Sequence, residues 1–97
     1  AEMAEVGGRI RSAQFQVGGT PVLLGVGNGG GSELHIHADG NNSKDILVGN
    51  NDVTAANGFL LTKGDEFAMY LPEGAKVYAV SSDGSLQKVY VLQTGGI

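Results

Sequence analysis

The sequence predicts an all-β protein, a single small β-sandwich or barrel of about eight short antiparallel strands. Short apolar runs alternate with glycine-containing turns such as Asn57-Gly58, Lys63-Gly64 and Asp83-Gly84. Short strands with turn signals at regular spacing are typical of sandwiches and barrels. No stretch has the length and the 3.6-residue period of a long helix. The chain has 97 residues, which is the size of one domain.

The first half of the chain contains three predicted strands. Residues 9–17 alternate Ala13, Phe15 and Val17 with glutamines, which indicates a half-buried strand. Residues 20–26 form an apolar run after a Gly-Gly turn, which indicates a buried strand. Residues 34–38 alternate apolar and polar side chains and form the third. We expect residues 1–8 to be a flexible N-terminal arm and residues 9–97 to be the sandwich domain.

The second half supplies the remaining strands. Its apolar runs are residues 46–48, 59–61, 67–71, 77–80 and 86–92. We expect these strands to follow one another as a meander from Asp45 to the C-terminus, with residues 51–57 as a loop or a single helical turn. The side chains expected between the sheets include Val53, Leu61, Phe67, Met69, Leu71, Val77 and Ala79.

Composition excludes several classes of function. The chain has no cysteine, which excludes disulfides and thiolate zinc sites. Its net charge is −4 with six basic residues, which argues against binding to nucleic acid or to anionic membranes. No apolar run approaches the length of about 18 residues that a spanning helix needs. The N-terminal Ala1 fits removal of an initiator Met and cytoplasmic synthesis, although a cleavage scar gives the same residue.

Two groups of side chains could bind a metal. His35 and His37 lie two apart on one strand, which places two imidazoles on one face about 7 Å apart, with Asp39 two residues further. Histidine nitrogen is a common transition-metal ligand, but polar residues on the outer face of a half-buried strand explain the same pattern. The oxygen-bearing residues between Asp39 and Asp45 resemble the start of a calcium loop. That loop needs glycine at its sixth position, where this chain has Lys44, so a solvated turn is the expectation.

Other motifs for catalysis are weak. The G-x-G-x-x-G spacing of Gly25, Gly27 and Gly30 precedes a strand pattern rather than a helix, which favours a loop over a nucleotide site. Six serines and two histidines occur without a G-x-S-x-G elbow. We therefore expect no enzyme and no cofactor.

A series of motifs follows the third predicted strand. In chain order it contains Val48-Gly49, Val53-Thr54, Asn57-Gly58, Gly64-Asp65, Val77-Tyr78-Ala79-Val80 and Val89-Tyr90-Val91-Leu92. The series, over residues 34–92, resembles small β-sandwich proteins of tailed bacteriophage virions. The resemblance implies a capsid decoration or cement protein that binds the major capsid protein on the head surface and stabilises the head. It also allows a homotrimer.

The N-terminal region is the first candidate for contact with the capsid. Its apolar and basic side chains are Met3, Val6, Arg9, Ile10 and Arg11. An arm that becomes ordered on binding can cover a neighbouring surface. The alternative functions are a β-sandwich binding module of a phage tail or fibre component, including a carbohydrate binder, or a histidine-based metal-binding domain.

Overall fold

The computed structural model describes residues 10–95, and all regular structure in that range is β-strand. The strands are β1 (Ile10–Val17), β2 (Val22–Val26), β3 (Ser32–Ala38), β4 (Ile46–Gly49), β5 (Phe59–Leu61), β6 (Glu66–Leu71), β7 (Lys76–Ser81) and β8 (Gln87–Gly95). Eight strands were predicted from turn spacing and alternation, and their positions are confirmed within a few residues. No helix in residues 10–95 is long and apolar enough to cross a membrane. The expected arm at residues 1–8 lies outside the described range.

The strands form two four-stranded antiparallel sheets. Sheet A has the order β1-β8-β3-β6 and sheet B has the order β2-β7-β4-β5. Each strand of the first half pairs with one of the second half, as β1 with β8, β2 with β7, β3 with β6 and β4 with β5. The β3–β8 and β4–β7 pairs complete the sheets. This is the arrangement of a jelly roll, so the predicted all-β sandwich is confirmed.

The expected meander in the second half is wrong. Only β4 and β5 are neighbours both in sequence and in a sheet, whereas β5, β6, β7 and β8 alternate between the two sheets. Alternation of side chains identifies which face of a strand is buried. It does not identify the neighbouring strand, and here most partners are distant in sequence.

The interior is one apolar layer between the sheets. Both sheets direct every second side chain inward, and the main cluster of buried residues is Val17, Leu24, Leu34, Ile36, Ala38, Ile46, Val48, Leu61, Leu71, Val77, Ala79, Val89 and Val91. Phe15, Phe67 and Met69 pack against it while staying partly accessible. A layer built from facing strands is the usual core of a sandwich.

Val53 departs from the prediction. It is buried, but it packs with Leu47, Val80 and Tyr78 in a separate cluster rather than between the sheets. Leu47 and Val80 are partners in the β4–β7 ladder, and their neighbours Val48 and Ala79 belong to the main core. Because side chains alternate along a strand, this cluster lies on the outer face of sheet B. The loop between β4 and β5 thus covers that face.

Glycine is required at this loop for close approach. A Cβ on Gly58 would lie 2.5 Å from the Leu47 Cβ, so any larger residue would displace the loop. The turn glycines Gly64, Gly74 and Gly84 instead have positive φ angles of 81°, 83° and 86°, a conformation that glycine adopts at little cost.

Candidate functional site

The two histidines lie on the outer face of sheet A, which we call the imidazole face. Their strand neighbours Leu34 and Ile36 are fully buried, so alternation turns His35 and His37 outward as the sequence predicts. The face forms a shallow depression of about 740 Å³. It is centred on β8 and β3, with β1 and β6 at its margins.

One row of side chains crosses the imidazole face through His37. The register aligns Gln14, Tyr90, His37 and Glu66 from β1 to β6. The His37 and Tyr90 ring centroids are 5.8 Å apart at a tilt of 32°. The Lys88 ammonium lies 5.8 Å from the Tyr90 ring centroid, within the range of a cation–π contact. This row is a polar and aromatic surface with one carboxylate at its β6 end.

The next row contains His35 and is less polar. It aligns Ser12, Leu92, His35 and Ala68. The only charged group that contacts His35 among the described residues is Glu33, whose Oε1 lies 3.5 Å from His35 Nε2. Both side chains are about half exposed, and such pairs contribute little to stability.

The candidate metal ligands are not assembled into a site. Among residues 10–95 no group of three or more histidine, aspartate or glutamate side chains is placed to hold a metal ion. Asp39, the third candidate, uses its Oδ1 to accept the Asn41 N–H at 3.3 Å. The imidazoles of His35 and His37 face Glu33 and Tyr90 instead.

The loop that resembled a calcium site is held by the Gln87 side chain and the Lys88 backbone of β8. Gln87 Oε1 accepts the N–H groups of Ser43 and Lys44 at 2.9 and 3.2 Å. Asn42 donates to the Lys88 carbonyl at 2.9 Å and accepts the Lys88 N–H at 2.8 Å. Asn42 and Gln87 are buried, and sequence reasoning missed both.

The N-terminal docking candidates are only partly described. Met3, Val6 and Arg9 lie outside residues 10–95. Ile10 is 77% exposed at the start of β1 and is available to a partner. Arg11 contributes to the fold, because its Nη2 donates to Gln93 Oε1 at 2.9 Å.

Arg11 and Gln93 form a bridge between the sheets at the side where β1 and β2 are the edge strands. Gln93 is buried, and its Nε2 donates to the Val26 carbonyl of β2 at 2.8 Å. The bridge crosses a groove of about 420 Å³. We call this the bridged side.

The opposite side, between β5 and β6, is an open apolar cleft. Its volume is about 350 Å³. Its apolar lining is Val48, Phe59, Phe67, Met69 and Val77. No side-chain hydrogen bond among the described residues joins β5 to β6, in contrast to the bridged side.

Phe59 forms the exposed wall of the apolar cleft. It is 62% exposed, and its ring centroid lies 5.2 Å from that of Phe67. Leu60 beside it is 53% exposed, but it pairs with Leu47 and lies on the outer face of sheet B rather than in the cleft. An exposed aromatic ring beside an apolar cleft is typical of interaction surfaces, so this side is the best candidate docking surface among the described residues. In the sequence these residues belong to apolar runs, and no local pattern indicates that their side chains stay exposed.

One carboxyl group on the turn between β7 and β8 has a shifted pKa. The Ser85 hydroxyl donates to Asp83 Oδ1 at 2.6 Å, and the Ser85 N–H donates to the same oxygen at 3.0 Å. These hydrogen bonds stabilise the ionised form and lower the pKa of Asp83. The group is fully exposed and lies outside both the imidazole face and the apolar cleft.

Comparison with known proteins supports the fold. No protein-family model matches the sequence, and the comparison with curated proteins finds no match. A structure described as "Bacillus endospore appendages form a novel family of disulfide-linked pili" is similar with a TM-score of 0.56 at 9% identity, over 93% of this chain and 87% of that chain. An RmlC-like cupin from Shewanella frigidimarina NCIMB 400 has a TM-score of 0.49 at 15% identity, over 94% and 68% of the two chains. The Bacillus structure supports the sandwich fold.

Proposed function

We propose that this protein is a decoration protein of a phage capsid, which binds the outer surface of the major capsid lattice and stabilises the head. The proposal rests on the motif series over residues 34–92, which resembles virion β-sandwich proteins, together with the exposed apolar side of a compact sandwich. It assigns the chain a binding role without a catalytic reaction or a cofactor.

The shape of the sandwich suits a surface protein. The described residues extend 46 × 25 × 16 Å, so each copy is a slab with broad faces and narrow edges. A stable contact buries about 800 Å² per partner, which such a slab can supply by lying across neighbouring capsid subunits. Contact with several subunits at once raises the effective affinity, and repetition over the lattice would oppose the pressure of packaged DNA.

The observation that carries the docking assignment is the apolar cleft with its exposed Phe59. Aromatic side chains are enriched at protein interfaces, and anchors of this kind carry much of the binding free energy. The N-terminal candidates Met3, Val6, Arg9 and Ile10 are a second docking element in this proposal. Deleting residues 1–8 should then lower capsid occupancy, and unchanged occupancy would remove the arm from the mechanism.

The test of the function is reconstitution on undecorated phage heads. Purified protein is added to heads that lack it, and cryo-electron microscopy locates the added density while heating measures head stability. We expect ordered density on the head surface and a higher temperature of DNA release. Absence of bound density at saturating protein would contradict the proposal.

A pair of variants tests the docking side. Phe59 and Leu86 are similarly exposed, at 62% and 66%, but only Phe59 lines the apolar cleft. Phe59→Ser should reduce occupancy on the heads about tenfold or more, as expected for an interface anchor, whereas Leu86→Ser should not. Equal loss in both variants would place the docking surface elsewhere.

A second candidate is a module of a tail, a fibre or another surface appendage. The fold neighbour from Bacillus belongs to disulfide-linked pili, which shows a similar sandwich in a filament. This chain has no cysteine, so it would need non-covalent contacts for the same purpose. Density on tails or fibres instead of heads in the particle images would favour this candidate.

A further inference from the structure

We propose that two copies of this chain associate through β6, with the two β6 strands antiparallel, so that two A sheets become one eight-stranded sheet. The proposal goes beyond the decoration role, since it concerns the free protein in solution, where a second copy would compete with a capsid for the apolar cleft. It follows from the hydrogen-bonding pattern of β6, from the length and regularity of this edge, and from the self-complementary order of its side chains.

The backbone pattern shows which groups of β6 are free. The Ala38 N–H donates to the Asp65 carbonyl, and the Ala38 carbonyl accepts the Gly64 N–H, so Ala38 directs its polar groups toward the β6 side. Alternate residues of an antiparallel strand bond to the same neighbour. Ile36 and Leu34 therefore bond to their β6 partners Phe67 and Met69.

The other residues of β6 direct their N–H and C=O groups away from β3. They are Glu66, Ala68 and Tyr70, and all three are exposed. An unpaired row of this kind is a template for another strand, and strand addition at a sheet edge is a common mode of recognition.

The other edge strands carry features that discourage such pairing. β2 follows Pro21 and has an irregular register between Leu23 and Gly25, β5 has three residues, and β1 has Arg11 directed toward the bridge. Prolines, irregularities, short strands and inward charges are the usual protections of sheet edges. β6 is six residues long, contains no Pro, Lys or Arg, and has one charged residue, Glu66, at its start. Its β3 pairing is regular.

The side chains of β6 are self-complementary when the two-fold axis passes through Ala68. A two-fold axis at Ala68 places Ala68 opposite Ala68, Glu66 opposite Tyr70, and Phe67 opposite Met69 of the second copy. An axis at Glu66 would oppose two carboxylates, which is unfavourable. An axis at Met69 would oppose Glu66 to Pro72, which has no N–H to donate.

The Ala68 register also covers the apolar cleft. Phe67 and Met69 point inward beside Phe59, so each Phe67 would gain a Met69 sulfur as a neighbour. Sulfur–aromatic contacts are favourable by about 0.3–1.5 kcal/mol. One strand pair buries less than the roughly 800 Å² per partner of a standard interface, so the dimer should depend on concentration.

A single cysteine tests the register directly, because the chain has none of its own. Residues in a hydrogen-bonded antiparallel pair have Cα atoms about 5.5 Å apart, within the range of about 4.4–6.8 Å for disulfides. Ala68→Cys should therefore form a disulfide-linked dimer under mild oxidation. The control is Gln14→Cys on β1, which is also an exposed residue of an edge strand. We expect Ala68→Cys to crosslink at least about tenfold faster, since association raises the effective thiol concentration.

Sedimentation equilibrium tests the association without a cysteine. The unmodified chain should shift from monomer to dimer mass as its concentration rises. Ala68→Pro should remove the shift, since it deletes a free-edge N–H without breaking a β3 bond, and Gln14→Pro should retain it. Circular dichroism checks that both variants are folded. A monomer mass at all concentrations, a trimer mass, or equal crosslinking at Ala68→Cys and Gln14→Cys would overturn the proposal, and the first of these would leave β6 open to a strand from another protein.

Discussion

The two open sides of the sandwich are built differently. At the bridged side, buried Gln93 links Arg11 of β1 to the Val26 carbonyl of β2. At the opposite side, the apolar cleft is lined by Phe59, Phe67 and other apolar side chains, with exposed apolar surface at its rim. The core of a sandwich reaches the surface on each open side. Where hydrogen-bonded polar groups close that side, no partner is needed to cover it. Covering exposed apolar groups with a partner is favourable, because it removes them from water. The comparison therefore separates a side that is suited to stability from a side that is suited to binding.

The largest expected difference concerns the core behind each side. Leu24 on β2 is 1% exposed, and Leu24→Ala should lower the free energy of unfolding by about 3 kcal/mol because it leaves a cavity. Met69 lines the apolar cleft, where water already reaches, so Met69→Ala should cost about 1 kcal/mol. Urea denaturation of both variants measures this. Equal losses would show that the cleft is as tightly packed as the core.

The bridge itself should give the next largest effect. Gln93→Ala removes both hydrogen bonds of a buried side chain, and each such bond contributes about 0.5–1.5 kcal/mol. Gln16→Ala, an exposed change on β1, is the control and should stay within about 0.5 kcal/mol of the unmodified chain. A loss for Gln93→Ala no larger than that of the control would mean that the bridge does not stabilise the sandwich.

Sequence alone located the strands and the buried faces but not the sheets. Alternation in β1 and β3 correctly predicted the orientation of Phe15, His35 and His37, because the period of two is local. The second half was predicted as a meander, since nothing local shows that β8 lies between β1 and β3. The partners of a strand are decided by packing between segments that are far apart in sequence.

The two buried glutamines of β8 were not predicted, for a related reason. Gln87 and Gln93 share the parity of the buried Val89 and Val91 on β8, which is the signal that could have found them. Their polarity argued for exposure. Burial is tolerated here because Gln93 donates to a β2 carbonyl and Gln87 accepts two N–H groups of the 39–45 loop.

Substitutions in the apolar cleft should affect association more than they affect the free energy of unfolding. Phe59 is 62% exposed, so Phe59→Ser should change the free energy of unfolding by about 1 kcal/mol or less. The same variant should weaken the dimer in sedimentation equilibrium, because it removes an aromatic ring beside the contact between the two β6 strands. Leu86→Ser is the matched control and should leave association unchanged. A dimer that is equally weakened by both variants would argue against the cleft as its location.

The smallest expected effect lies away from both sides, at Asp83. Its folded pKa is lowered by the Ser85 hydrogen bonds, so its contribution to stability is present above the unfolded pKa and is lost as pH falls through the folded pKa. Ser85→Ala should therefore melt slightly below the unmodified chain at pH 7, and the difference should shrink in acid. Melting curves at neutral and acidic pH measure it. A difference that stays constant with pH would assign the effect to something other than ionisation of Asp83.

Amide hydrogen exchange resolved by NMR at low and high protein concentration tests the contrast between the two sides most directly. The free-edge amides of Ala68 and Tyr70 on β6 should exchange more slowly as concentration rises, because a second copy pairs with them. The edge amides of Ser12 and Gln14 on β1 should not change. Protection that increases equally on β1 and β6, or on neither strand, would contradict the assignment of the β5–β6 side as the binding side.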